Sequence, residues 1–171
     1  MKTIAITLIL FCTTFLSVGR SNDDTLSSLT IDGVIANAGT GTDKECRVEL
    51  WSSKGVVDTV ILKKGKTKFR LNLRCNSYYT IKISKKGFID RLICIDTAIP
   101  EGYDEDSFRF RFETELLEMS AAKGMNKDML DFPAAIVHYQ QSQDYFDYNR
   151  AYTDNLKQQL NVSADLTQNT K

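Results

Sequence analysis

From Leu29 to about Met119, apolar and polar residues alternate in short runs separated by Gly, Asn, Lys and Asp clusters. This is the pattern of strands with one buried face and one wet face. The runs predict seven strands: Leu29 to Ala36, Cys46 to Ser52, Val56 to Leu62, Thr67 to Leu73, Tyr78 to Ser84, Phe88 to Asp96 and Ser107 to Leu117. Alternation also assigns the faces. Phe69, Leu71 and Leu73 point inward while Lys68, Arg70, Asn72 and Arg74 point outward, and Tyr79, Ile81 and Ile83 oppose Thr80, Lys82 and Ser84 in the same way. Phe108, Phe110 and Phe112 alternate with Arg109, Arg111 and Glu113, which puts three rings in the core and three charges in water. The expected fold class is all-β, a seven-stranded antiparallel sandwich of two packed sheets. Lys54-Gly55, Lys63-Lys64-Gly65-Lys66, Asn76-Ser77 and Lys85-Lys86-Gly87 supply the turns.

After Met119 the pattern changes. Ser120 to Asp131 is small and mixed in charge, which predicts a mobile connection and a domain edge. Pro133 precedes a predicted edge strand over 134–139. Tyr148, Tyr152, Leu156 and Leu160 recur every fourth residue behind Asp147, predicting an amphipathic helix over 148–160 with Asp147 as its N-cap. The polar end, 163–171, is expected to be disordered. The domain reading is a sandwich over 29–119 followed by a C-terminal extension over 120–162.

The first nineteen residues stand apart: Lys2, then an uncharged apolar core from Ile4 to Leu16, then Ser17-Val18-Gly19. That is the composition of a secretory signal peptide, with cleavage expected after Gly19 and a flexible N-terminus over 20–28. Its apolar run is shorter than the roughly 20 residues that span a bilayer, and no later run is longer, so no membrane span is expected. Export is the expected localisation: periplasmic, outer-membrane-associated or extracellular. The remaining length is that of one domain able to bury a core. With 22 basic and 22 acidic residues, the chain has no net-charge footprint for nucleic acid.

Beyond the leader there are three cysteines, Cys46, Cys75 and Cys94, an odd number. Cys46 and Cys75 share the parity of inward residues, so they are expected either as buried thiols or as one structural disulfide between them.

The segment Phe69-Arg-Leu-Asn-Leu, followed by Tyr79-Thr-Ile-Lys-Ile-Ser-Lys-Lys-Gly-Phe88, resembles the core signature of carboxypeptidase regulatory-like domains, a branch of the transthyretin-like sandwiches. Ile31-Asp32-Gly33-Val34-Ile35 resembles that family's opening strand and Val48-Glu49-Leu50-Trp51 its second, so the resemblance covers Leu29 to about Thr97. Ile93 to Thr97, the Phe-rich strand, Phe132 to Ile136 and Phe146 to Thr153 resemble the tails of short secreted Bacteroidota proteins. The resemblance implies fold, an envelope or extracellular location and a non-catalytic role, and it implies no ligand. The basic approach Lys63-Lys64-Gly65-Lys66-Thr67 departs from the Asp-rich or Thr-x-x-Gly approach common in the family. Asp24-Thr25-Leu26, Asp58-Thr59-Val60 and Asp96-Thr97-Ala98 are similar to the O-glycan acceptor of that phylum, which marks Thr25, Thr59 and Thr97.

Chemistry at a site needs converging His, thiolate or carboxylate groups. His138 is the only histidine and lies between Val137 and Tyr139 in a predicted strand, so it has no evident catalytic partner. Glu101, Asp104, Glu105 and Asp106 cluster around Gly102, but their spacing does not match a calcium loop. The expectation is no enzyme activity, no metal and no cofactor. Tyr145, Phe146, Tyr148 and Tyr152 are the candidate ligand-binding aromatics, weighed against docking of the same stripe onto the sandwich. The expected function is a non-catalytic binding or scaffold module of the bacterial cell envelope with a protein or glycan partner. The alternatives are an accessory subunit of an outer-membrane or secretion complex and, more distantly, a carbohydrate-binding module.

Overall fold

The computed structural model describes residues 27–39, 45–102, 107–122, 125 and 130–168, so the expected leader and Thr25 lie outside the described residues. The strands are β1 (Ser28–Ile35), β2 (Cys46–Ser52), β3 (Gly55–Leu62), β4 (Lys68–Arg74), β5 (Tyr78–Ser84), β6 (Arg91–Asp96), β7 (Ser107–Thr114), β8 (Ala135–Gln140) and β9 (Tyr145–Tyr148), followed by helix α1 (Arg150–Gln168). They form a sandwich of one three-stranded sheet, β4-β1-β7, and one six-stranded sheet, β3-β2-β5-β6-β8-β9.

The all-β reading therefore stands, but a seven-stranded antiparallel sandwich does not describe it. Two pairs, β1 with β7 and β6 with β8, are parallel. The cause is the path of the chain. After β6 it crosses to the three-stranded sheet as β7, then returns as β8, and each return lands beside a strand running the same way. A parallel pair needs such a long crossover, and alternation of side chains carries no information about strand direction.

Alternation did place the inward residues of β4, β5 and β7, with Tyr79 half-buried, and the core extends beyond them. Leu29, Ile31, Ile35, Phe69, Leu71, Leu73, Phe108, Phe110 and Phe112 from one sheet meet Val48, Leu50, Ile81, Ile83, Ile93, Ile95 and Val137 from the other. Burying a Phe side chain contributes roughly 1.5–3 kcal/mol. A one-residue slip of β7 would expose three of them, a loss comparable to the roughly 5–15 kcal/mol by which a domain is stable. The expected turns form as well. Gly87 adopts φ 86°, and at the Asn76-Ser77 turn it is Asn76 that takes the left-handed φ of 58°.

The C-terminal part corrects three expectations. The strand expected as an edge over 134–139 is internal, because Tyr145–Tyr148 adds outside it as β9. The helix is capped by Asn149, whose Oδ1 accepts from Tyr152 N at 3.0 Å, and not by Asp147; it continues through Gln168, past the expected end at 160 and into the segment expected to be disordered. The sandwich also does not stop at Met119, since Val137, Tyr139 and Phe146 belong to the same core as β1 to β7. Tyr145 to Tyr148 hid inside the helical repeat because Tyr148 falls on both the strand's inward parity and the four-residue spacing.

Candidate functional site: a basic sheet face and its groove

The outer face of the three-stranded sheet is where this chain concentrates charge. Register sets it out as rows across β4, β1 and β7: Arg74–Ser28–Ser107, Asn72–Thr30–Arg109, Arg70–Asp32–Arg111 and Lys68–Val34–Glu113. Five cations thus stand on one face against two carboxylates, and the described residues of β4 and β7 on it are exposed. Adjacent strands lie about 4.8 Å apart, so the β4 and β7 cations flank β1 at about 10 Å from each other.

Asp32 sits at the centre of this face. Its Oδ1 accepts from Arg70 Nε at 2.7 Å, and Arg109 Nε lies 3.5 Å from Oδ2, an ion pair without hydrogen-bond geometry. The Arg70 hydrogen bond, opposed in part by desolvation and aided by the charges of Arg70, Arg109 and Arg111, holds the Asp32 carboxyl below the usual carboxylate range. Asp32 is only 17% exposed, whereas Arg70 and Arg109 remain 59% and 62% exposed. The carboxylate orients the guanidinium groups without covering them.

At the β4 edge this face turns into a groove of 720 Å³ whose lining includes Asn72 and Arg74 on one side and Ser52, Asp58, Tyr78 and Tyr79 on the other. Tyr78 is 74% exposed. A phenol ring with an apolar face, next to a guanidinium, an amide and a carboxylate, is the side-chain set that recognises a sugar ring by stacking and by its polar edges.

The residues singled out from the sequence lie elsewhere. Phe146 is buried against Phe108 and Tyr139, with ring centroids 5.3 and 5.4 Å away, and Tyr148 packs edge-on to Phe110 at 5.2 Å. Tyr152 is half-buried and donates its hydroxyl to Pro133 O at 2.6 Å. Phe146 is sandwich core, Tyr148 is half-buried with Phe110 on one side and lines the cleft that Arg91 also lines, and Tyr152 ties the helix to the segment before β8; of the four, Tyr145 alone is exposed. The exposed rings that sequence reasoning passed over, Tyr78 and Trp51, carried no spacing signal.

Thr59 is exposed on β3, as an acceptor hydroxyl must be. Thr97 is fully buried. Its hydroxyl contacts Ser77 O at 2.7 Å and Arg74 O at 2.9 Å and accepts from Ser77 N at 2.9 Å, so the folded chain offers no acceptor there. Cys46 and Cys75 are buried as expected, and both are free thiols. Cys46 neighbours the Ser84 end of β5 while Cys75 precedes its Tyr78 end. The two are separated by about the length of that strand, roughly 20 Å, far beyond the ~7 Å that a disulfide tolerates between Cα atoms. Burial pushes both thiols up in pKa. His138 Nε2 lies 2.9 Å from Gln140 Nε2. Asp104, Glu105 and Asp106 lie outside the described residues, and among the described residues no three His, Cys, Asp or Glu groups converge. No helix among the described residues is long and apolar enough to cross a membrane.

No protein-family model matches the chain, and no curated protein matches it. Among solved structures, the chain is similar to S.CueP at 17% identity and TM-score 0.32, over 52% of this chain and 62% of that one. It is similar to chlorocatechol 1,2-dioxygenase from Pseudomonas putida at 10% identity and TM-score 0.38, over 57% and 63%. It is similar to the Bacillus anthracis TIE protein at 13% identity and TM-score 0.35, over 54% and 17%. In each case the match spans less than two thirds of the other chain, and those proteins' activities remain their own.

Proposed function

We propose that this chain is a non-catalytic, exported binding module that engages an acidic polysaccharide of the cell envelope through the outer face of β4-β1-β7 and the groove beyond Arg74. The supporting observation is the clustering of Lys68, Arg70, Arg74, Arg109 and Arg111 on one sheet face, which continues into a groove bearing the exposed Tyr78. Uronate carboxylates match the guanidinium groups, which bind such groups in bidentate fashion, and the sugar face matches the tyrosine ring. The resemblance to carboxypeptidase regulatory-like, transthyretin-like domains and the signal-like leader favour the same setting. Of the C-terminal aromatics Phe146 serves the core and Tyr148 and Tyr152 are half-buried, which favours the sheet face and its groove over them for carbohydrate recognition.

Binding to a soluble polyuronate, with neutral dextran as the control, tests this reading. The chain should bind polyuronate at low salt, weaken as ionic strength rises because the charges are exposed, and ignore dextran. The Arg109→Gln/Arg111→Gln variant should bind about tenfold more weakly or worse, since each lost charge-assisted bond contributes on the order of 1 kcal/mol or more. Equal binding by this variant, or none by the wild-type chain, would sink the proposal.

The accessory-subunit reading has its own supporting observation. β3 is the terminal strand of the six-stranded sheet, and Val56, Val57 and Ile61 on it are exposed. An uncovered apolar edge is a template for strand addition. Ile61→Lys, which lies on the same edge strand but outside the groove, should then abolish co-purification with a larger envelope protein while polyuronate binding is unchanged.

A further inference from the structure

An inward position on β6 carries a charge. Alternation along Arg91, Ile93 and Ile95 directs all three into the sandwich; the two isoleucines are buried core, and the third side chain is a guanidinium. Arg91 Nε is sealed from solvent without a hydrogen-bond partner, and among the described residues no carboxylate forms an ion pair with Arg91. Arg91 as a whole is half-buried, and even partial burial of a cation without an ion-pair partner is costly. The desolvation is visible in the lowered pKa of the guanidinium, which the nearby Tyr148 only partly offsets. A native chain that keeps such a group calls for an explanation in terms of what the group meets.

Arg91 faces a cleft of 500 Å³ between β7 and the corner where β9 passes into α1, with Ile93, Phe112, Ala135 and Tyr148 among its walls and Arg150 and Lys157 on the helix side. A second cavity of 170 Å³ adjoins it, lined mainly by apolar side chains such as Leu92, Leu117, Leu130 and Leu156. Both cavities share Arg91, Ala134, Thr153 and Lys157 in their walls. An apolar cavity of about 150 Å³ accepts a benzene-sized group, so the inner one matches about six carbons. The outer cleft holds three cations, but also Glu113 and Asp154, and Arg150 is drawn to Asp147 at 3.3 Å. With Arg150 so engaged, Arg91 and Lys157 are matched by Glu113 and Asp154, so the cleft disfavours a polyanion, and what favours one carboxylate is Arg91, which lacks an ion-pair partner among the described residues.

We propose that these adjoining cavities bind a small amphipathic carboxylate, with its carboxylate on Arg91 and a six-carbon-sized apolar group in the inner cavity. The proposal is independent of the basic sheet face. The same chemistry is offered by a free medium-chain or aryl acid and by the C-terminus of a peptide ending in a large apolar residue.

Calorimetric titration of the purified chain with hexanoate, hexanol, and a tripeptide Ala-Ala-Phe as free acid and as amide separates these cases. Hexanoate or the free-acid peptide should bind at least tenfold more tightly than hexanol or the amide. Binding by hexanoate alone identifies a free acid, and binding by the peptide acid identifies a chain terminus. Arg91→Met keeps the length and removes the charge, so it should fold with a raised Tm and lose at least tenfold in affinity. Leu156→Trp, which fills the inner cavity and spares Arg91, should lose the preference for hexanoate over acetate. Equal binding of hexanol and hexanoate, undiminished binding by either variant, or no binding of either acid at millimolar concentration overturns the proposal.

Discussion

The ring of Phe69 lies directly on Gly33, so close that a Cβ at position 33 would stand 2.2 Å from Phe69 Cζ. The two face each other across the β1–β4 ladder, where Gly33 pairs with Phe69. Gly33 also pairs with Phe112 on β7, and the Phe69 ring reaches across the glycine to meet Phe112 edge-on at 5.8 Å. Glycine at the centre of a strand is ordinarily a cost; here it is the space into which a core ring fits. Gly33→Ala should therefore destabilise the fold by about 1–3 kcal/mol, the usual cost of overpacking. Urea denaturation will measure it, and adding Phe69→Leu should recover part of the loss as a coupling energy in a double-mutant cycle.

Asp32 links stability to pH and to binding. Its carboxyl has a lowered pKa in the folded state, chiefly through the Arg70 hydrogen bond. Its stabilising contribution is thus fully present above the unfolded carboxyl's pKa of about 3.9 and is lost as pH falls through the lower folded value. Asp32→Asn should lower stability at pH 7, modestly because the Arg70 side of the pair is exposed, and the difference from wild type should vanish as pH falls below about 4, where the wild-type carboxyl becomes protonated. The same variant should tighten polyuronate binding, because Arg70 and Arg109 lose their internal competitor. Denaturation across pH and the binding titration check the two halves separately.

Thr97 is a structural hydroxyl. It joins the ends of β4, β5 and β6 through Arg74 O, Ser77 O and Ser77 N. Thr97→Val keeps the shape and removes the hydroxyl partner of Ser77 N and Arg74 O, which should cost about 1–3 kcal/mol. If O-glycans are present on the native protein, peptide mapping should find Thr97 unmodified and Thr59 available.

The thiols of Cys46 and Cys75 are buried, separate and raised in pKa by that burial. At pH 8 both should react with iodoacetamide many-fold more slowly in the native state than in urea, since the thiolate is the nucleophile. Mass mapping without reductant should show no peptide linking 46 to 75; a linked peptide would contradict the placement of the two residues at opposite ends of β5.

The resulting division between sequence and structure is physical. Side-chain alternation is a local property of each strand, so β2, β4, β5 and β7 and their inward residues were legible from the sequence, down to the three phenylalanines of β7. The Asn76 and Gly87 turns were legible too, because local sterics dictate them. Strand direction and sheet membership were not, since a parallel β1–β7 pair and an antiparallel one present the same alternating pattern. Tyr148 shows a related limit: its spacing to Tyr152 and Leu156 mimics a helix, and only the ladder with Val137 makes it a strand residue.

The candidate sites belong wholly to the tertiary structure. Arg70, Arg109 and Arg111 are distant in a chain whose charges cancel, and they meet only because β1 lies between β4 and β7. Arg91 lies inside the strand expected over Phe88 to Asp96 and carried no signal that set it apart from other charges. By itself, the sequence determined which residues turn inward, because burial follows a local repeat. Which outward charges share a face, and which inward charge has no ion-pair partner among the described residues, was decided by strand order, a long-range outcome of packing that no local repeat encodes.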